Sequence, residues 1–112
     1  MILRMWRGVV HTDKAEEYAD IVERTGMSEY RRTAGNLAAQ LVTRDLGDGS
    51  TEIRTLSWWE DLDTIRAFAG DDIEVAKYYP EDDDYLIDRE TTVAHFQVSP
   101  AAPKDEGRQL PS

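Results

Sequence analysis

Two adjacent tryptophans, Trp58 and Trp59, close the run TEIRTLSWW, whose alternation reads as a β-strand over residues 51–59. Successive strand side chains point to opposite faces of a sheet, so both faces must find apolar cover at this point. Helices of the same chain can cover one face. A large aromatic on the other face of a small sheet calls for a second sheet or a partner subunit. Asp61 then stands as the N-cap of a helix carrying Leu62, Ile65 and Phe68, and Gly70 closes it.

The same two-sided demand recurs at the start of the chain. Residues 2–10 place Leu3, Met5 and Val9 on one face of a strand and Ile2, Trp6 and Val10 on the other. Arg7 shares the face of Leu3, where a charge needs a cavity, a carboxylate or the sheet rim. Asp13 and Glu16 have the spacing of a capping box before a helix with Ala15, Tyr18, Ala19 and Val22 on one stripe. Gly26 predicts a kink or break over residues 25–27, after which Met27, Tyr30 and Ala34 continue the stripe to Gly35. Residues 37–45 alternate as a second strand, joined by the turn-rich LGDGS run to the strand ending at Trp59. Residues 73–79 have the pattern of about two helical turns, Pro80 stops them, and residues 80–87 restart as a turn with acids at its N-terminus. Residues 91–98 form the last strand, with Ala94, Phe96 and Val98 opposite Val93, His95 and Gln97.

Strand, helix, strand, strand, helix, strand is the split pattern of a ferredoxin-like α+β domain. Such a domain has a four-stranded antiparallel sheet with helices on one face, and its bare face is available for a homodimer contact. Residues 1–98 make up this domain, and residues 99–112, with three prolines, are expected to be a flexible tail. At 112 residues there is room for one modest core, and without cysteine there is neither disulfide nor thiolate metal site. The formal charge of −10, of which residues 71–90 carry −7, argues against nucleic acid and anionic lipid as partners. Neither a signal peptide nor a membrane-spanning window is evident, so a cytoplasmic location is expected. The acidic run at residues 81–84 lacks the glycine and ligand spacing of a calcium loop and reads as a solvated helix start.

The opening ILRMWRG, the stretch LSWWEDLDTIRAFAG, the segment IEVAKYYPEDDDYL and the closing VAHFQV together resemble the antibiotic biosynthesis monooxygenase-like family of dimeric α+β barrels. The resemblance implies two sheets facing each other in a barrel, with a ligand cavity in each subunit between sheet and helices. It also implies cofactor-free oxygenation of an electron-rich aromatic or polyketide-type substrate whose carbanion passes an electron to dioxygen. Trp59 matches a tryptophan that ends the third strand in several such enzymes. The haem-degrading branch implies an asparagine on the first strand and an axial histidine on the later helix. Here Arg7 stands near the former, and Lys77, Tyr78 and Tyr79 supply no histidine.

His95, on a strand and with an ordinary pKa near neutrality, is the better histidine for a base, and Arg7 could stabilise an enolate or phenolate. Trp59 with the small Thr55 and Ser57 on its face could wall a pocket together with Phe68. Tyr78 and Tyr79, before Pro80, fall on a candidate lid where a phenol could bind substrate or ligate haem iron. Asn36 could orient a substrate carbonyl, though Gly-Asn is first a turn signal. Trp6 and Trp58 are assigned to the barrel contact, and His11 to the surface. The competing reading is a non-catalytic dimer that binds a hydrophobic metabolite or serves as an accessory subunit, since the sequence offers no paired catalytic constellation.

Overall fold

The computed structural model describes residues 1–100, so most of the expected tail lies outside the described residues. The elements are β1 (Ile2–His11), a 3-10 turn (Thr12–Lys14), α1 (Ala15–Val22), a π-helical turn (Glu23–Met27), α2 (Ser28–Arg32), β2 (Asn36–Asp45), β3 (Ser50–Trp59), α3 (Leu62–Ala69), a second 3-10 turn (Pro80–Asp84), β4 (Leu86–Arg89) and β5 (Ala94–Gln97). The sheet runs β2-β3-β1, and both β4 and β5 pair with the free side of β1. Every pairing is antiparallel, and β1 lies against β3 from Ile2 opposite Trp59 to His11 opposite Ser50. This is the expected α+β architecture, with five strands where four were expected.

The extra strand arises because the outer edge is broken in two. β5 pairs with residues 2–5 of β1 and β4 with residues 8–10. Between them, residues 91–93 turn away and pair with residues 74–76: Ala76 N donates to Thr91 O, Val93 N donates to Glu74 O, and Val75 bridges Thr92. The same pairing overturns the helix expected over residues 73–79, where Ala76 N and Glu74 O bond to another strand-like segment. Local periodicity lost to a non-local ladder.

Three local rules held and one did not. The Asp61 carboxylate accepts from Thr64 N at 2.9 Å and starts α3, which Gly70 ends at φ 84°. The irregularity expected near Gly26 is a π turn, Glu23–Met27, between α1 and the shorter α2. Asp13 makes no capping bond; α1 grows out of the preceding 3-10 turn, which already supplies its first backbone acceptors.

The helices cover one face of the sheet. There Trp59, Ile53, Ile65, Val10, Met27 and Tyr18 are fully buried. Trp6 points the same way and is 8% exposed, which overturns its assignment to the barrel contact. Its neighbour Gly8 has to lack a side chain: a Cβ there would lie 2.5 Å from the Trp6 ring and 2.6 Å from Leu86. The opposite face carries Leu3, Met5, Leu56, Trp58 and Phe96, in register across β5, β1 and β3. No helix of the described residues is long and apolar enough to cross a membrane.

Candidate functional site

Between the helices and the β1–β3 part of the sheet lies a cavity of about 40 Å³, bounded by the π turn and by the irregular segment that follows α3. Its walls are mostly aromatic: Trp6 from β1, Tyr18 from α1, Tyr30 from α2, Phe68 from α3, and Tyr78 and Tyr79 from the segment before Pro80. Thr55 is part of the floor, and Thr25 and Gly26 open one side. A Cβ on Gly26 would lie in ordinary contact with the Tyr79 ring, at 3.7 Å.

Polar groups around the cavity are tied down. Trp6 Nε1 donates to Glu90 O at 3.0 Å, and the Tyr78 hydroxyl donates to the same carbonyl. The Tyr79 hydroxyl donates to Glu29, whose other oxygen takes Lys77 Nζ at 2.6 Å. Burial works against the Glu29 carboxylate, but the bonds from Lys77 and Tyr79 outweigh it and hold its pKa below the usual range. Burial, reinforced by Glu29, pushes the Tyr79 phenol well above its ordinary value. Tyr18 donates to Asp82 Oδ1 at 2.9 Å, and Tyr79 N donates to Asp82 Oδ2 at 2.7 Å. Burial first, and then the Asp82 charge, keep the Tyr18 phenol protonated far past its normal range.

Arg4 is the exception. Its side chain reaches the cavity from β1 and is 1% exposed. Nη1 donates to Ile73 O at 2.6 Å and lies 2.9 Å from His95 Nε2, while Nε has no partner among the described residues. The His95 ring stands beside Arg4 across the β1–β5 pairing, and burial followed by the Arg4 charge lowers its pKa, so it accepts from Arg4 as neutral imidazole.

No family model matches the chain, and no curated protein matches it. Solved structures do. A candidate antibiotic biosynthesis monooxygenase from Bacillus cereus superposes with a TM-score of 0.64 over 93% of this chain and 98% of its own, at 16% identity. The fold is that of the antibiotic biosynthesis monooxygenase-like proteins. SnoaB, a cofactor-independent oxygenase from Streptomyces nogalater, follows the monooxygenase-like fold of this chain at a TM-score of 0.58, with 92% and 97% of the two chains covered and 16% identity. A mutant of MhuD, solved with two manganese protoporphyrin IX molecules per active site, does so at 0.59, over 93% and 100%, at 12% identity.

Within this monooxygenase-like fold the sequence-derived candidates separate. Thr55, Phe68, Tyr78 and Tyr79 line the cavity. Trp59 and Ser57 lie beneath it, both wholly buried, with Trp59 Nε1 donating to Ser57 Oγ at 2.8 Å and the indole edge-on to Tyr30. Asn36 is at the start of β2, where its amide donates to Ala38 O and Trp58 O and holds a bulge. Arg7 is on the opposite sheet face, bonded to Glu52 at 2.7 Å, and does not reach the cavity. His95 is one residue removed, behind Arg4. His11 is exposed, as expected.

Sequence reasoning missed Arg4, Trp6, Tyr18 and Asp82 as cavity residues. Parity could have found the first two, since Arg4 and Trp6 share the strand face of Ile2 and Val10. Asp82 belongs to a run that reads as solvated, yet it is 5% exposed. Its place three residues after Tyr79, where a carboxylate can accept from the backbone N–H that opens a helical turn, was the available signal.

Proposed function

We propose that the protein is a small-molecule enzyme of the cofactor-independent oxygenase type, acting on a flat aromatic or polyketide-type substrate. The observation that carries this reading is the aromatic cage: six rings from β1, all three helices and the segment before Pro80 converge on one cavity. Thr55, Phe68, Tyr78 and Tyr79 contact the substrate, and His95 acts through Arg4. Arg7 has no part in this reading. The substrate carbon loses a proton to solvent or base. The resulting carbanion gives an electron to dioxygen, the radicals combine as a hydroperoxide, and loss of water leaves a carbonyl. One oxygen atom enters the product and the other leaves as water.

As it stands the cavity has room for about three water molecules. A ring enters when the segment bearing Lys77 and Tyr79 lifts from Glu29, so the Lys77–Glu29–Tyr79 bonds are the latch. Oxygen-electrode assays with anthrone-type and polyhydroxylated aromatic compounds test the proposal. Consumption above the spontaneous rate, accompanied by the quinone or ketone, is expected, and it should fall by about 10- to 100-fold when Phe68 is replaced by alanine and the ring is no longer positioned. Equal rates with and without protein across the panel would refute it.

A haem would need a wider opening of the same lid, and no histidine among the described residues lines the cavity to ligate its iron.

We also infer a homodimer through the open sheet face, because Leu3, Met5, Leu56, Trp58 and Phe96 stand in one cross-strand patch with Phe96 46% exposed. Sedimentation should return twice the chain mass, and Trp58→Glu should return the monomer. A monomeric wild-type protein at micromolar concentration would count against it.

A further inference from the structure

We propose that the natural occupant of the cavity is an organic acid, bound through its planar carboxylate on the unfilled edge of the Arg4 guanidinium. This rests on the reading of the cavity as a small-molecule site and names the class of molecule that the site takes.

A guanidinium removed from water is costly unless an anion or a full set of acceptors replaces its hydration. Arg4 has neither. Its recorded hydrogen bonds both leave from Nη1 and end on neutral acceptors, Ile73 O and His95 Nε2, and Nε is buried with nothing to donate to. The Phe68 ring, 5.7 Å from the guanidinium carbon, adds a cation–π contact and no hydrogen-bond acceptor.

The contrast with the other bases is sharp. Arg7, Lys14, Arg31, Arg44, Arg54, Arg66, Lys77 and Arg89 each pair with an acid. Arg24 and Arg32, the other described bases without an ion pair, are exposed and keep their water. Among the described residues, the most deeply buried cation therefore has no carboxylate of its own. Asp82 lines the same cavity but is not bonded to Arg4; its oxygens accept from Tyr18 and from the Tyr79 backbone.

What remains is a rigid, positively charged edge among aromatic walls. A planar group with two oxygens matches that edge, since guanidinium and carboxylate can form parallel N–H to O bonds. The aromatic rings would take an aromatic or alicyclic body. His95 is a positioning residue: it fixes the far side of the guanidinium and, being neutral, leaves the charge directed at the ligand.

The test uses benzoate and its neutral isostere benzamide as probes, titrated without turnover under anaerobic conditions and followed by calorimetry. Benzoate is expected to bind at least 10-fold more tightly than benzamide to the wild-type protein, and Arg4→Gln should abolish the preference. In case Arg4→Gln does not fold, the side-chain Nε–H resonance of Arg4 in the wild-type protein provides a second readout, and it should move with benzoate and stay in place with benzamide. Equal binding of the two probes, binding of neither, or a preference retained by Arg4→Gln would overturn the proposal. Because no oxygen is consumed, charge selectivity can hold while the oxygenase reading fails, and the converse result is equally distinguishable.

Discussion

Replacing Trp59 with alanine is expected to destabilise the protein by about 3–5 kcal/mol, the cost of a large buried aromatic together with the void that it leaves. Trp59 is fully buried, makes an edge contact with Tyr30 at 5.8 Å between ring centres, lies 6.0 Å from Phe68, and donates to a Ser57 hydroxyl that is itself wholly buried. The substitution removes the indole and leaves Ser57 Oγ without its donor. Set against the roughly 5–15 kcal/mol typical of a domain, the loss takes much of the total stability. Urea unfolding at a fixed protein concentration measures it. A loss below about 1 kcal/mol would mean that the site collapses freely or that the indole is not core, contrary to its geometry.

Glu52→Gln is expected to cost roughly 3 kcal/mol, toward the low end for breaking a buried ion pair because its partners keep some access to water. The Glu52 side chain is 7% exposed and accepts from Arg54 at 2.8 Å, Arg7 at 2.7 Å and Arg44 at 3.1 Å. Without its charge, three arginines on one sheet face repel one another. The same contacts, led by the bonds from Arg54 and Arg7, hold the carboxyl pKa at about 2 against an ordinary 4.5. A pKa lowered by folding means that the unfolded chain binds the proton more tightly. The contribution of Glu52 is therefore complete above about pH 4.5 and is lost as the pH falls toward about 2. Stability followed by urea unfolding through that window should fall more steeply in the wild type than in Glu52→Gln. Parallel curves would show that Glu52 is not the group responsible.

This ion cluster also explains where Arg7 went. The sequence placed it on the face of Leu3, Met5 and Val9 and left a cavity, an acid or the rim as its destination. The acid is Glu52, which sits on the neighbouring strand next to the Arg7–Arg54 pair, on the same face. Cross-strand partners depend on register, and register depends on how the β2–β3 hairpin and the β1 crossover align. No local pattern holds that information.

The candidate site was legible to the extent that strand parity carries it. Thr55 and the helix residue Phe68 follow from alternation and from the 3.6-residue period, and both reach the cavity. Arg4 obeys the same parity, but in the sequence it only interrupts an apolar run. Whether a basic residue on the covered face is paired or left without an acid depends on residues 69 and 91 positions away, those of Ile73 and His95. Trp59 shows the opposite case, in which parity was right about the face and silent about depth.

By itself the sequence determined the order of the elements from β1 to α3, the two-sided apolar demand on β1 and β3, the Asp61 cap of α3 and the acidic balance of the chain. These are set by alternation, capping chemistry and charge count, which act within a few residues or through simple sums. Tertiary structure alone decided that the outer edge divides into β4 and β5 and that residues 73–79 pair instead of coiling. It also buried Asp82 beneath two tyrosines and left Arg4 without an acid among the described residues. Each of these outcomes turns on a competition between partners far apart in the chain, and burial raises the stakes of that competition by removing water as the alternative partner.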